Sequence, residues 1–135
     1  MKKYLSMIAF VMMAMVAFTL QSCGDDDDDN YQLETSLKIY DRGPMTEREA
    51  QQMVMAAKKT VRAYYPSEDA AENATRAAAY ALRDEMETSN QDFGTAEFTF
   101  TLKCKEVSDG EVVSIWYVKY DGTQYEKWKV YGDLD

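Results

Sequence analysis

A chain of 135 residues with 15 lysines and arginines against 24 aspartates and glutamates carries a formal net charge of −9, which argues against nucleic acid as a partner. Histidine is absent, so Ser-His-Asp and Cys-His catalysis and the commonest zinc ligand are removed together. The 2 cysteines, Cys23 and Cys104, stand far apart in the chain and do not suggest a disulfide framework.

In chain order, Lys2 and Lys3 precede an almost wholly apolar stretch from Tyr4 to Leu20, the pattern of a secretory signal over residues 1–22. A membrane span would need about 20 apolar residues with flanks that hold it in place. Here the stretch ends at Leu20-Gln21-Ser22-Cys23 and an acidic run, Asp25 to Asp29, follows. Cleavage before Cys23 accounts better for that order.

The tetrapeptide resembles the lipobox of bacterial lipoproteins, with Leu20 three residues before the cysteine, the small Ser22 just before it, and Gln21 as its least typical member. What this resemblance implies is acylation of Cys23 and attachment to a membrane through lipid. Acyl chains contribute about 0.8 kcal/mol per buried methylene, so two or three chains on one cysteine anchor durably where a single chain does not. An ordinary cleaved signal would instead leave Cys23 as a free thiol. The run Asp25 to Asp29 resembles the surface-export signal of Bacteroides-type lipoproteins, which implies an outer-membrane protein facing the cell exterior. On charge alone, adjacent aspartates repel one another and form an extended, solvated spacer, so residues 23–31 are expected to be a disordered tether. With Cys23 acylated, Cys104 has no partner for a disulfide.

Residues 32–135 are expected to form one small domain. Leu33, Thr35, Leu37 and Ile39 alternate with Glu34, Ser36 and Lys38, predicting a strand over 32–40 that Arg42-Gly43-Pro44 ends. Thr46-Glu47-Arg48-Glu49 matches a capping box. Beyond it Ala50, Met53, Val54, Ala57, Val61, Tyr64 and Tyr65 fall on one helical face, predicting a helix that runs to Pro66. Ser67 can cap a second helix, whose stripe is Ala71, Ala74, Ala78, Ala81 and Leu82. The short connection between the two predicts an antiparallel helix hairpin.

Asp109-Gly110 and Asp121-Gly122 are two-residue turn signals, giving strands near 95–106, 112–120 and 124–131. Pairing Ser108 with Glu111 sets Cys104 opposite Ile115 and Leu102 opposite Tyr117. Pairing Tyr120 with Thr123 sets Ile115 opposite Trp128 and Val113 opposite Val130. One face then holds Phe98, Phe100, Leu102, Cys104, Val113, Ile115, Tyr117, Trp128 and Val130 as core, with Cys104 a buried small side chain. The expected fold class is α+β: a two-helix hairpin packed on one face of a three- or four-stranded antiparallel meander sheet.

The other face in that register carries Thr99, Thr101, Lys103 and Lys105, then Ser114, Trp116, Val118 and Tyr120, then Tyr125, Lys127, Lys129 and Tyr131. Segregating lysines and aromatic rings on one face of an acidic chain suggests a binding surface. In the functional reading Trp116, Tyr120, Tyr125 and Tyr131 offer flat apolar area to a glycan or an envelope protein, while Lys103, Lys105, Lys127 and Lys129 attract anionic groups. In the structural reading lysine stems lie over Trp116 with their ammonium groups in water, or the first strand covers part of the face.

Asp84, Glu85 and Glu87 are the nominal catalytic carboxylates, but they crowd one helix end and do not face one another across a substrate. No cofactor or metal is implied, and a non-catalytic binding or accessory module is the expectation, with a structural or assembly role in an outer-membrane complex as the alternative. Two helices followed by a three-stranded meander on a lipoprotein is similar to the small outer-membrane lipoproteins of the SmpA/OmlA type, and Gly43-Pro44-Met45-Thr46 resembles the lead-in to their first helix. That likeness is one of fold.

Overall fold

Strand structure begins earlier, and the first helix stops sooner, than the periodicity of the sequence predicts. The computed structural model describes residues 30–88 and 92–132. The expected signal segment, Cys23 and the aspartate run lie outside the described residues. The elements are β1 (Asn30–Asp41), α1 (Glu47–Ala57), β2 (Lys59–Tyr64), α2 (Glu68–Thr88), β3 (Glu97–Glu106), β4 (Val112–Asp121) and β5 (Trp128–Gly132). They form an α+β fold in which two helices pack on a five-stranded antiparallel open sheet of order β2-β1-β3-β4-β5. Asn30 and Tyr31, expected in the tether, open β1, and Tyr31 is buried.

The capping box forms as expected. The Glu49 N–H donates to the Thr46 hydroxyl at 3.1 Å, and the Thr46 N–H donates to the Glu49 carboxylate at 2.9 Å. The helix nevertheless ends at Ala57, and the segment expected to continue it becomes β2. Thr60 and Val61 are β-branched and stiff at χ1, which favours a strand. Val61, Ala63 and Tyr65 also satisfy a period of two, so a helical stripe and a strand alternation overlap in this short window. Tertiary pairing decides between them: Val61 stands opposite Leu33 and Ala63 opposite Tyr31 on the outer edge of β1. The buried Thr35 hydroxyl donates to the Ala57 carbonyl at 2.7 Å, taking up a group that the helix end leaves open.

There is accordingly no helix hairpin, because β2 lies between the helices. The two consecutive helices on which the likeness to the SmpA/OmlA type rested are not found. α1 packs on β1, while α2 lies across β3, β4 and β5 on the same face. Ser67 caps α2 by accepting from the Ala70 N–H at 3.1 Å. The small side chains of Ala71, Ala74, Ala78 and Ala79 let α2 lie close to the sheet rather than to a second helix.

Both hairpin registers differ from those the turn signals predict. Between β3 and β4 the closing pair is Glu106 with Glu111, whose N–H and carbonyl bond at 2.8 Å around a loop in which Gly110 takes φ +72°. Leu102 stands opposite Trp116, Phe100 opposite Val118 and Phe98 opposite Tyr120, with an irregularity at Cys104/Lys105. A slip of one residue turns over the whole strand. Trp116, Val118 and Tyr120 therefore face the helices, and Ile115, Tyr117 and Lys119 take the open side. Val113 still packs on the core, because the irregularity sets it inward.

The β4–β5 connection is longer than two residues. The Asp121 N–H donates to the Lys127 carbonyl at 2.9 Å, and the Asp121 carboxylate accepts from the Thr123 N–H at 3.0 Å and from its hydroxyl at 2.7 Å. Gly122 does not serve a positive φ. Its N–H donates to the Ala96 carbonyl at 2.9 Å, and a Cβ there would collide with the Gly94 carbonyl. The glycine is needed for close backbone approach. Beneath this corner Phe93, Phe98, Tyr120 and Trp128 pack ring to ring, with Phe98 and Tyr120 centroids 5.1 Å apart. Cys104 is fully buried in the core, as its place on the apolar face predicts.

Candidate functional site

With both helices on one side, the opposite face of the sheet is left without a covering element among the described residues. Register fixes what it carries. Gln32 is flanked by Arg62 and Lys105, and Glu34 by Thr60 and Lys103. Further along, Ser36, Thr101, Tyr117 and Tyr131 share a row, and beside it Lys38, Thr99, Lys119 and Lys129 share the next.

The two halves of this face differ in electrostatics. Near the start of β1 the polar groups satisfy one another. Arg62 donates to Gln32 at 3.2 Å, Gln32 donates to Glu34 at 2.7 Å, and Lys105 pairs with Glu34 at 3.1 Å. Burial by itself would raise the Glu34 carboxyl, but hydrogen bonds from Lys105 and Gln32 and the charges of Lys105 and Lys103 hold it below its ordinary value. Near the far end of β1 three lysines share one row, and Asp41, Glu97 and Asp121 share the row beyond it. Lys119 approaches Glu97 at 3.6 Å, while neither Lys38 nor Lys129 has an ion-pair partner among the described residues. The Tyr117 and Tyr131 rings stack with centroids 5.1 Å apart and planes inclined by 28°.

The residues expected to form a site are divided by the fold. Lys103, Lys105, Lys129 and Tyr131 lie on the open face, and Tyr125 projects fully exposed from the β4–β5 loop with Lys127 at its end. Tyr125, Lys127, Lys129 and Tyr131 also line a hollow of about 810 Å³ along the outer edge of β5, bounded by Arg83 and Glu87 of α2. Trp116 and Tyr120 do not belong with them. Trp116 sits under α2, its ring 6.1 Å from that of Tyr80 with the Arg76 guanidinium 5.9 Å away, and Gly132 opposite leaves room for the indole. Tyr120 is buried and donates its hydroxyl to the Gly94 carbonyl at 2.9 Å.

Lys38, Tyr117 and Lys119 are the open-face residues that the sequence reading did not select. One signal could have found Tyr117 and Lys119. The expected register turns Val113, Ile115 and Tyr117 inward, and by alternation it also turns Lys119 into the core, where an unpaired ammonium is strongly disfavoured.

Asp84 and Glu87 meet Arg83 at 2.7 Å and 3.6 Å on the exposed end of α2. Among the described residues, Glu106, Asp109 and Glu111 bring carboxylate oxygens within 4.8 Å of one another at the β3–β4 turn. These oxygens are of the type that holds a hard cation, but Asp109 and Glu111 are exposed, and Asp109 accepts from the Glu111 N–H at 2.9 Å within its own turn. No protein family, curated protein or solved structure matches the chain.

Proposed function

We propose that this chain is a cell-envelope lipoprotein, anchored through acylated Cys23 and facing the cell exterior, whose domain is a non-catalytic binding module working through the open face of its sheet. The lipobox-like Leu20-Gln21-Ser22-Cys23 and the following aspartates support the anchor and the export. No helix among the described residues is long and apolar enough to cross a membrane, which is compatible with attachment through lipid. The observation that carries the binding role is the row of Lys38, Lys119 and Lys129, set about the buried Thr99, beside the stacked Tyr117 and Tyr131. On a chain of net charge −9 this concentration of positive charge favours an anionic partner.

A screen of glycans and envelope proteins against the detergent-solubilised chain tests the role. Binding that weakens when Lys119 and Lys129 are exchanged for glutamate supports it, and binding indifferent to that exchange counts against it. Incorporation of labelled fatty acid, lost on Cys23→Ala, tests the anchor.

A second reading, a structural component of an envelope assembly, is favoured by a different feature. Tyr40 and Met55 are 58% and 74% exposed, and Ile39, Ala50, Val54 and Met55 line a hollow of about 490 Å³ beside α1. Exposed apolar area of this kind suits a protein contact. Crosslinking from Met55 that recovers no envelope protein would exclude that role.

A further inference from the structure

We infer that the ligand of the open face is an acidic polysaccharide, lying across the strands along the paired rows of lysines and tyrosines. This rests on the binding role proposed above and names the chemistry of its partner.

Neighbouring strands are about 4.8 Å apart, so the strip from β1 to β5 is about 14 Å long, enough for a few sugar rings. Along it, Lys119 and Lys129 are adjacent, and Lys38 lies two strands from Lys119. That arrangement matches negative charges repeated along a chain better than a single compact anion. The neighbouring row supplies the hydroxyls of Ser36 and Thr101 and the stacked Tyr117 and Tyr131. Aromatic faces carry negative charge density, and the C–H face of a pyranose lies against them while its hydroxyls meet hydroxyl side chains. A protein partner would call for a large apolar centre, but Val112 and Ile115, near the turn end of β4, are the aliphatic side chains of β4 that the register turns to this face.

The chain's own aspartates are too short to occupy the strip. From Asn30 to the level of Lys38 is eight residues of β1, about 26 Å at strand rise. The five residues Asp25 to Asp29, fully extended back from Asn30, span at most about 18 Å. A segment of that length is too short to reach the lysine row.

The test is calorimetric titration of the full chain in detergent with polygalacturonate and with chondroitin sulfate, alongside neutral dextran and poly-L-glutamate. The expected result is that one or both acidic glycans bind, that added salt weakens binding, and that dextran does not bind. Lys119→Ala with Lys129→Ala should weaken binding about tenfold and Tyr131→Ala about threefold, as exposed contacts of this kind do. An unaltered melting temperature in these variants shows that the fold is intact. Binding of neither acidic glycan, or equal binding of dextran or poly-L-glutamate, overturns the glycan assignment and leaves a binding face for another partner. Glycan affinity unchanged in the double lysine variant moves the site elsewhere and overturns both this assignment and the role of the face.

Discussion

Lys119 and Lys129 stand directly opposite each other on neighbouring strands of the uncovered sheet face. Like charges so placed destabilise a sheet by roughly 0.2–1 kcal/mol. An acidic chain has glutamates and aspartates to place there, yet it places two lysines with a third, Lys38, in the same row. Function explains such an arrangement more readily than stability does.

Lys129→Glu replaces the repulsive pair by an attractive one. It should raise stability by about 0.5 kcal/mol, or about 2–4 °C in melting temperature, while removing affinity for anionic ligands. Thermal unfolding monitored by circular dichroism measures the gain; a lowered melting temperature would show that Lys129 is held by the carboxylates of Asp121 and Glu126, which line the same hollow.

Trp116 packs between α2 and the sheet, so Trp116→Ala should cost about 2–3 kcal/mol in urea denaturation. Tyr125→Ala, at a fully exposed loop position, should change stability by less than about 0.5 kcal/mol. Equal and small effects at both positions would put Trp116 on the surface.

The difference between these two residues shows what the sequence makes legible. Alternation in β1, the capping box at Thr46 and the apolar runs of β3 were readable, because each depends on neighbours within a few residues. The registers of β4 and β5 were not. They depend on a turn closed by Glu106 and Glu111, an irregularity at Cys104/Lys105, and a loop at Asp121 whose glycine answers a distant backbone rather than its own φ. In β4 the apolar and aromatic residues run almost continuously from Val112 to Val118, so side-chain pattern alone assigns neither face. The strand β2 was hidden for a related reason: its partner, β1, lies some thirty residues earlier in the chain. At the site, Lys103, Lys105, Lys129 and Tyr131 were legible from β3 and β5, while Tyr117 and Lys119 of β4 depended on the register.

Gly122 tests that close approach. Gly122→Ala forces a methyl against the Gly94 carbonyl and the Thr95 backbone, and should destabilise the domain by about 2 kcal/mol or more. Gly110→Ala meets no atom within 4 Å but must keep φ at +72°, and should cost about 1 kcal/mol. Denaturation midpoints of the two variants give the comparison, and equal midpoints would contradict the tight contact.

Cys104 makes stability depend on alkaline pH. Burial pushes its thiol from an ordinary 9.0 up to about 11; the Thr75 hydroxyl opposes the shift, and the charges of Glu72 and Glu68 add to it. The unfolded chain ionises first, so the contribution is present in full below pH 9 and is lost as pH rises from about 9 through about 11, roughly 3 kcal/mol in all. Burial raises the Tyr65 hydroxyl as well, which extends the loss at higher pH. Urea midpoints at pH 8 and pH 10 should converge in Cys104→Ala. Rapid native-state reaction of Cys104 with a thiol reagent at pH 8 would contradict its burial.

Amide chemical-shift mapping of the isotopically labelled chain during titration with polygalacturonate tests the central claim most directly. The expected shifts fall on Lys38, Thr99, Tyr117, Lys119, Lys129 and Tyr131, with α1 and α2 unmoved. Shifts confined to the helices, or to the hollow beside Met55, would contradict a ligand face on the open side of the sheet.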